Sequence, residues 1–308
     1  MKFVLFSRYI VLLSTLITSL CSGQEHKNFS ICNEIKKIDP ERTTRNEWDK
    51  LSNRLAANNL TVCDCMHYIS QQREQKALQE VRKEWSITEQ QMKIFKDALE
   101  KMNNRDKQFT PNIIFTDDKV APELQELITK KVSNLQITVP IHVSAIEKQN
   151  EFAQVSRGVN EDLDAQEHVS LNLNAFHAHP DNVFLPRYDA ILEHELRHIK
   201  HNHTGSKMIL GWLVDKEDTK NPFESKSFQK LQRAREAQAD RVGQACCEDL
   251  ETTQNFLRFL DETLYMDKKH GVDSNDKTIQ PNHPTTLKRY LWAIKINNLR
   301  ILEEQKNK

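Results

Sequence analysis

From Asn28 to Lys107 the chain contains no glycine and only one proline, Pro40. A backbone of that length with no residue suited to left-handed turns, and with Glu, Lys, Gln and Arg abundant, folds most readily as successive helices. The whole chain of 308 residues holds only six glycines, which extends the helical expectation beyond this segment. Met92, Phe95 and Leu99 recur at helical spacing behind "SITE", where Ser86 and Glu89 read as a capping box. We therefore expect residues 24–110 to be a helical leader region, in which no catalytic constellation is visible.

The texture changes at "TPNIIFTDD", residues 110–118, where we place a boundary and begin a second domain, 111–308. A helical stretch, "APELQELITKKVSNL", precedes the β-branched run "QITVPIHVSAI", and "EFAQVSRGV" and "EHVSLNLNAF" read as two further strands. The last alternates Val169, Leu171 and Leu173 with Ser170, Asn172 and Asn174, which gives a strand two unlike faces. Pro186 should open a helix that ends near Thr204 and Gly205, with later helices over about residues 228–247, 252–266 and 284–299. The expected fold class is α+β and mostly helical, a small sheet combined with a helix-rich remainder.

The first residues place Lys2 and Arg8 ahead of a charge-free run from Tyr9 to Leu20, with small residues at Ser22 and Gly23. This is the architecture of a secretory signal, and the run is shorter than the about 20 residues a bilayer span needs. The expectation is a signal peptide at 1–23 and a chain exported to a periplasmic or extracellular space. Leu20 stands where a lipobox requires a small residue, which argues against lipidation at Cys21. Beyond the signal, Cys32, Cys63, Cys65, Cys246 and Cys247 make an odd set in a disulfide-permitting compartment. Cys32 is expected to pair with Cys63 or Cys65, and the spacings C-x-C and C-C do not suit a structural zinc site. Lys plus Arg and Asp plus Glu balance at 44 each, so no global field favours nucleic acid or an anionic membrane, and partners must be sought locally. "MILGWLV", residues 208–214, reads as core first, and otherwise as a lid or a peripheral membrane contact.

"AILEHELRHIKHNH", residues 190–203, concentrates four histidines. On a helix, His194 and His198 are four residues apart and share a face, so both imidazoles reach one metal ion, with Glu195 beside the first as a general base. Downstream, "REAQADRVG" places Glu236 and Asp240 at the same spacing. Glu236 suits a third ligand, and Asp240 suits an acceptor that fixes the tautomer of a ligating histidine. His201 lies near the metal face and is expected to be a solvated neighbour, and His203 at the helix end a surface residue.

The order "HELRH", "EAQAD", then "HPTTLKR" resembles the zinc peptidase family that includes the HtpX membrane protease and the CAAX prenyl protease, and "NEFA" at residues 150–153 resembles that family's strand before the catalytic helix. The resemblance spans about residues 111–299 and leaves the leader unexplained. It implies a zincin-like catalytic domain binding one zinc ion through His194, His198 and Glu236, with Glu195 as general base and Asp240 behind a ligand. Its C-terminal segment corresponds to His283, Pro284 and Arg289. An imidazole held by the turn at Pro284 could donate to a developing oxyanion and Arg289 could pair with Asp240 or another carboxylate to pin the segment; the plainer reading is that "NHP" starts a helix. The chain lacks the membrane members' transmembrane helices between the two zinc motifs, which implies an exported branch acting on polypeptides rather than on membrane-embedded substrates. The implied function is zinc-dependent endopeptidase action on exported or misfolded proteins. The alternative is a zinc-binding chaperone or assembly factor that holds extended chains without cleaving them. The resemblance also implies that a substrate peptide adds to the strand "EHVSLNLNAF".

Overall fold

The computed structural model describes residues 29–107, 112–147, 152–157, 169–213, 222–276 and 281–308. The expected signal segment with Cys21, Thr110, Pro111, Asn150, Glu151 and Val214 lie outside the described residues. The chain is mostly helical with one small mixed sheet, an α+β protein. Among the described residues four helices come first, α1 (Cys32–Lys37), α2 (Arg45–Ala57), α3 (Val62–Glu84) and α4 (Glu89–Asp106). Then follow β1 (Ile113–Phe115), α5 (Pro122–Asn134), β2 (Ile141–Ile146), β3 (Ala153–Ser156), β4 (Val169–Asn174) and the single turn α6 (Ala175–Ala178). The C-terminal half adds α7 (Leu185–Lys200), α8 (His203–Trp212), α9 (Lys226–Cys246), α10 (Leu250–Lys269) and α11 (Thr286–Asn307). Among the described residues no helix is long and apolar enough to cross a membrane.

Helices α2, α3 and α4 of the leader start where the sequence supplies reciprocal caps: Thr44 with Glu47, Thr61 with Asp64, and Thr88 with Gln91. The cap of α4 is thus Thr88 rather than the expected Ser86. Ser86 takes a left-handed conformation, φ 51°, and closes α3, with the Ile87 amide donating back to the Arg82 carbonyl. The chain spends those two residues on ending one helix before it can begin the next.

The leader is not a separate layer. Leu51, Leu55, Met66 and Ile69 bury against Val242 of α9 and Ile296 and Leu299 of α11 in one continuous core. Two disulfides reinforce it, Cys32–Cys65 within the leader and Cys63–Cys246 between the leader and α9. The second closes a loop spanning 183 residues, a cross-link worth on the order of 5 kcal/mol in chain-entropy terms. Cys247 remains a buried free thiol.

The sheet has strand order β1-β2-β4-β3, with β1, β2 and β4 parallel and β3 antiparallel to β4. Val169, Leu171 and Leu173 point into a core formed with α5 and α7, and the intervening polar residues stay partly exposed, as their alternation predicts. Pairing on both sides makes β4 an inner strand, which overturns the expectation that a peptide adds to it. The edge on that side of the sheet is β3, against which α7 packs. Helix α9 is the axis of the C-terminal half, touching α3, α7, α10 and α11, and is therefore buried around most of its circumference. The run from Met208 is chiefly core: Ile209 and Leu210 of α8 are buried, while Trp212 is exposed.

Candidate metal centre

The centre forms where α7 crosses α9. Helical spacing puts His194 and His198 on one face of α7, and Glu236 and Asp240 on the facing side of α9. His194 Nε2 lies 3.1 Å from His198 Nε2 and 3.1 Å from Glu236 Oε2, and His198 Nε2 lies 3.3 Å from the same oxygen. These three residues form a group able to hold a metal ion. Glu195 stands at the rim, its Oε1 3.9 Å from His194 Nε2.

Partners on the far side of each ring decide what those three atoms can be. The Nδ1–H of His194 donates to Asp240 Oδ1 at 2.8 Å. Arg289 of α11 holds the same carboxylate with two further donors, Nε at 2.8 Å and Nη2 at 3.0 Å. Burial opposes charge on Asp240, yet Arg289 and His194 keep its carboxyl well below the ordinary range. On His198 the partner is His203, with the two Nδ1 atoms 2.9 Å apart and His203 Nε2 3.3 Å from Gln238 Oε1. Burial, helped by the nearby His198 and Arg235, holds His203 well below the imidazole range, so it carries one proton. With that proton given to the Gln238 oxygen, His203 Nδ1 accepts from His198 Nδ1–H. With each Nδ1 engaged from behind, both α7 histidines turn Nε2 toward the Glu236 carboxylate.

Without metal, a proton on His194 Nε2 bridges to the Glu236 oxygen at 3.1 Å; a metal ion would displace that proton and take the three inward-facing atoms as ligands. Ligands about 2.0–2.1 Å from a tetrahedral zinc stand roughly 3.3–3.4 Å apart, close to the separations here. The surrounding charge agrees: burial alone would lower the His194 imidazole, but Asp240 and Glu236 outweigh it and raise it to about 10, a field that welcomes positive charge. Burial likewise opposes ionisation of Glu236, and the His198 and His194 rings still hold it well below the carboxylate range. The donor set therefore fits a zinc ion.

His283, in the turn before α11, places Nδ1 3.3 Å from Glu236 Oε2, yet that buried nitrogen has no hydrogen-bond partner. Burial, the largest influence, lowers its pKa and favours the neutral ring, while Glu236 pulls the other way.

Two expectations for the opening histidines fail. Helix α7 stops at Lys200, Asn202 turns left-handed at φ 52°, and α8 starts afresh at His203. That elbow folds His203 back beneath His198 and buries it, where continuous helix would have left it at a fraying end. Gly205 is what the elbow requires, because a Cβ there would collide with the side chains of Asn202 and Met102. His201 is not a solvated neighbour either: its ring lies 5.6 Å from both His67 and His203, and its buried Nε2 has no partner. Sequence reading missed His203 and Gln238 as parts of the centre. The one signal available was Gly205, a helix-weakening residue about two turns after the motif. A second cluster able to hold metal, Cys63, His67 and Cys246, has its two sulfurs joined in a disulfide.

Compared with descriptions of known protein families, with curated proteins and with solved structures, the chain finds no match.

Proposed function

We propose that this protein is a zinc-dependent endopeptidase with a zincin-like catalytic domain, acting on exported or misfolded polypeptides. The observation that carries the reading is the triangle of His194, His198 and Glu236, with each imidazole held from behind at Nδ1 so that its Nε2 faces inward. Zinc bound there would supply Lewis acidity that activates water and polarises a carbonyl. Glu195, beside the triangle, accepts the water proton and passes it to the leaving amine. The neutral His283, with a nitrogen already desolvated and unpartnered, donates to the carbonyl oxygen as negative charge develops on it. Asp240 and Arg289 hold His194 and the His283 segment in register, since one carboxylate serves both. An extended substrate adds to β3, the strand at the sheet edge that packs on α7, so main-chain hydrogen bonds present the scissile bond.

The non-cleaving alternative, a zinc-binding chaperone, keeps the metal and the extended-chain groove but has no use for Glu195. Incubation of zinc-loaded protein with unfolded casein separates the two. Glu195→Gln should keep the zinc and the fold while losing about 100-fold or more in cleavage. Casein left intact by the parent protein, or cut equally by both, would contradict the reading.

A further inference from the structure

A cavity of about 960 Å³ opens behind the metal centre, between the leader, α9 and α11. Asp240, His283 and Arg289 form its inner wall, so it is continuous with the groups around the triangle. Its lining carries nine Lys and Arg residues against three acidic ones, in a chain whose overall charge is zero. The imbalance is therefore local and built by folding, since the cations come from the leader, α9 and α11.

Much of that charge has no internal counterpart. Asp240 is already occupied by His194 and Arg289, and Asp39 is engaged by its neighbour Arg42. Arg73, Lys76 and Lys288 form no ion pair among the described residues. Arg241, only 4% exposed, has a buried Nη1 without a hydrogen-bond partner. Its guanidinium lies instead on the Trp292 ring at 4.1 Å, with Lys295 Nζ 4.8 Å from the same ring. Burial, together with the nearby Arg73, pushes Arg241 down to about 9, so it stays charged at neutral pH while being held at a cost. A buried cation without a carboxylate is expensive unless something else supplies the negative charge.

We infer that this cavity binds an acidic stretch of polypeptide, with Arg241 at its base and Arg73, Lys76 and Lys288 around it, and that it selects substrates rich in Asp and Glu. The assignment to polypeptide rests on the proposed endopeptidase function: the cavity wall includes His283, whose Nδ1 lies 3.3 Å from Glu236, so the cavity adjoins the triangle over which a substrate chain would lie. The volume suits several side chains rather than one small ion. Carboxylates entering it pair with Arg241 and complete its hydrogen bonding, a charge-assisted contact strengthened by the low-dielectric wall.

The test compares a fluorescein-labelled peptide containing four Glu and Asp residues with its Gln and Asn counterpart, by anisotropy, using the zinc-loaded purified protein. The acidic peptide should bind at least about 10-fold more tightly at low salt, with the advantage shrinking as ionic strength rises. Lys76→Glu/Lys288→Glu, which changes only exposed lining residues, should abolish the advantage while leaving zinc content and the thermal unfolding midpoint unchanged. Equal binding of the two peptides, or a preference that survives the charge reversal, overturns the inference. Pyrophosphate binding more tightly than the acidic peptide also overturns it, by making the cavity a phosphate site. Because binding is read without turnover, a protein that discriminates the peptides but cuts nothing refutes the protease reading alone. One that cuts casein without discriminating refutes the cavity alone.

Discussion

Asp240 and Arg241 are consecutive residues of α9, both buried, and they sit in opposite electrostatic situations. Asp240 accepts from His194 and twice from Arg289, and serves two elements at once. Arg241 faces a cavity of like charges, its guanidinium laid on the Trp292 ring and forming no ion pair, though the charge of Asp240 draws on it through space. A buried charge with all its partners in place holds geometry, which a metal centre needs before its ion arrives. A buried charge lacking a partner marks where a ligand of opposite sign would be taken up.

If that contrast is right, removing groups around the triangle should act on metal and turnover, with the size of the effect following distance from the reacting atoms. His283→Ala should cost the most, about 100-fold in turnover, with zinc content and KM for a model peptide nearly unchanged, because its contact is made in the transition state. A loss confined to KM would make His283 a substrate-binding group. Asp240→Ala should weaken zinc affinity by about 10- to 100-fold in competition with a chromophoric chelator. His203→Ala should do the same near the lower end of that range, since it orients His198 through a single contact. Restoration of affinity by His203→Gln, whose amide oxygen can accept from His198, would separate orientation from mere packing.

The smallest effect concerns His201. Burial, then the charges of His67 and Arg197, push its imidazole down to about 3, against an ordinary value of 6.5. The folded state therefore refuses a proton that the unfolded chain takes up below pH 6.5. Its contribution to stability is flat above that pH and is lost progressively as pH falls toward 3, by at most ~1.4 kcal/mol per pH unit. Urea midpoints measured from pH 7 to pH 4 should fall less steeply for His201→Gln than for the parent. Parallel curves would show that His201 is not buried in solution.

What the sequence revealed and what it hid follow the same physical division. Residue pairs four apart on one helix, His194 with His198 and Glu236 with Asp240, are legible because helical geometry fixes their common face before any tertiary contact forms. The alternation of β4 likewise predicted its buried residues, but not its neighbours, because strand pairing is a long-range choice and placed β3 at the edge instead. His203 was hidden by a change of direction: continued helix would carry it away from His198, and only the left-handed Asn202 brings it back. The cavity was least legible, since Arg73, Lys76, Arg241 and Lys288 are scattered along a chain whose charges cancel. Cys246 meets Cys63 through the packing of α9 on α3, a long-range contact that the sequence does not display.

The central claim is that three lone pairs meet at one cation. Metal analysis of the purified protein tests it most directly: the parent should carry about one zinc per chain, and His194→Ala, His198→Ala and Glu236→Ala should each lose it while retaining helical circular dichroism. Zinc retained by His198→Ala at the parent's level, or a metal-free parent that zinc neither binds nor stabilises against heat, would contradict the account.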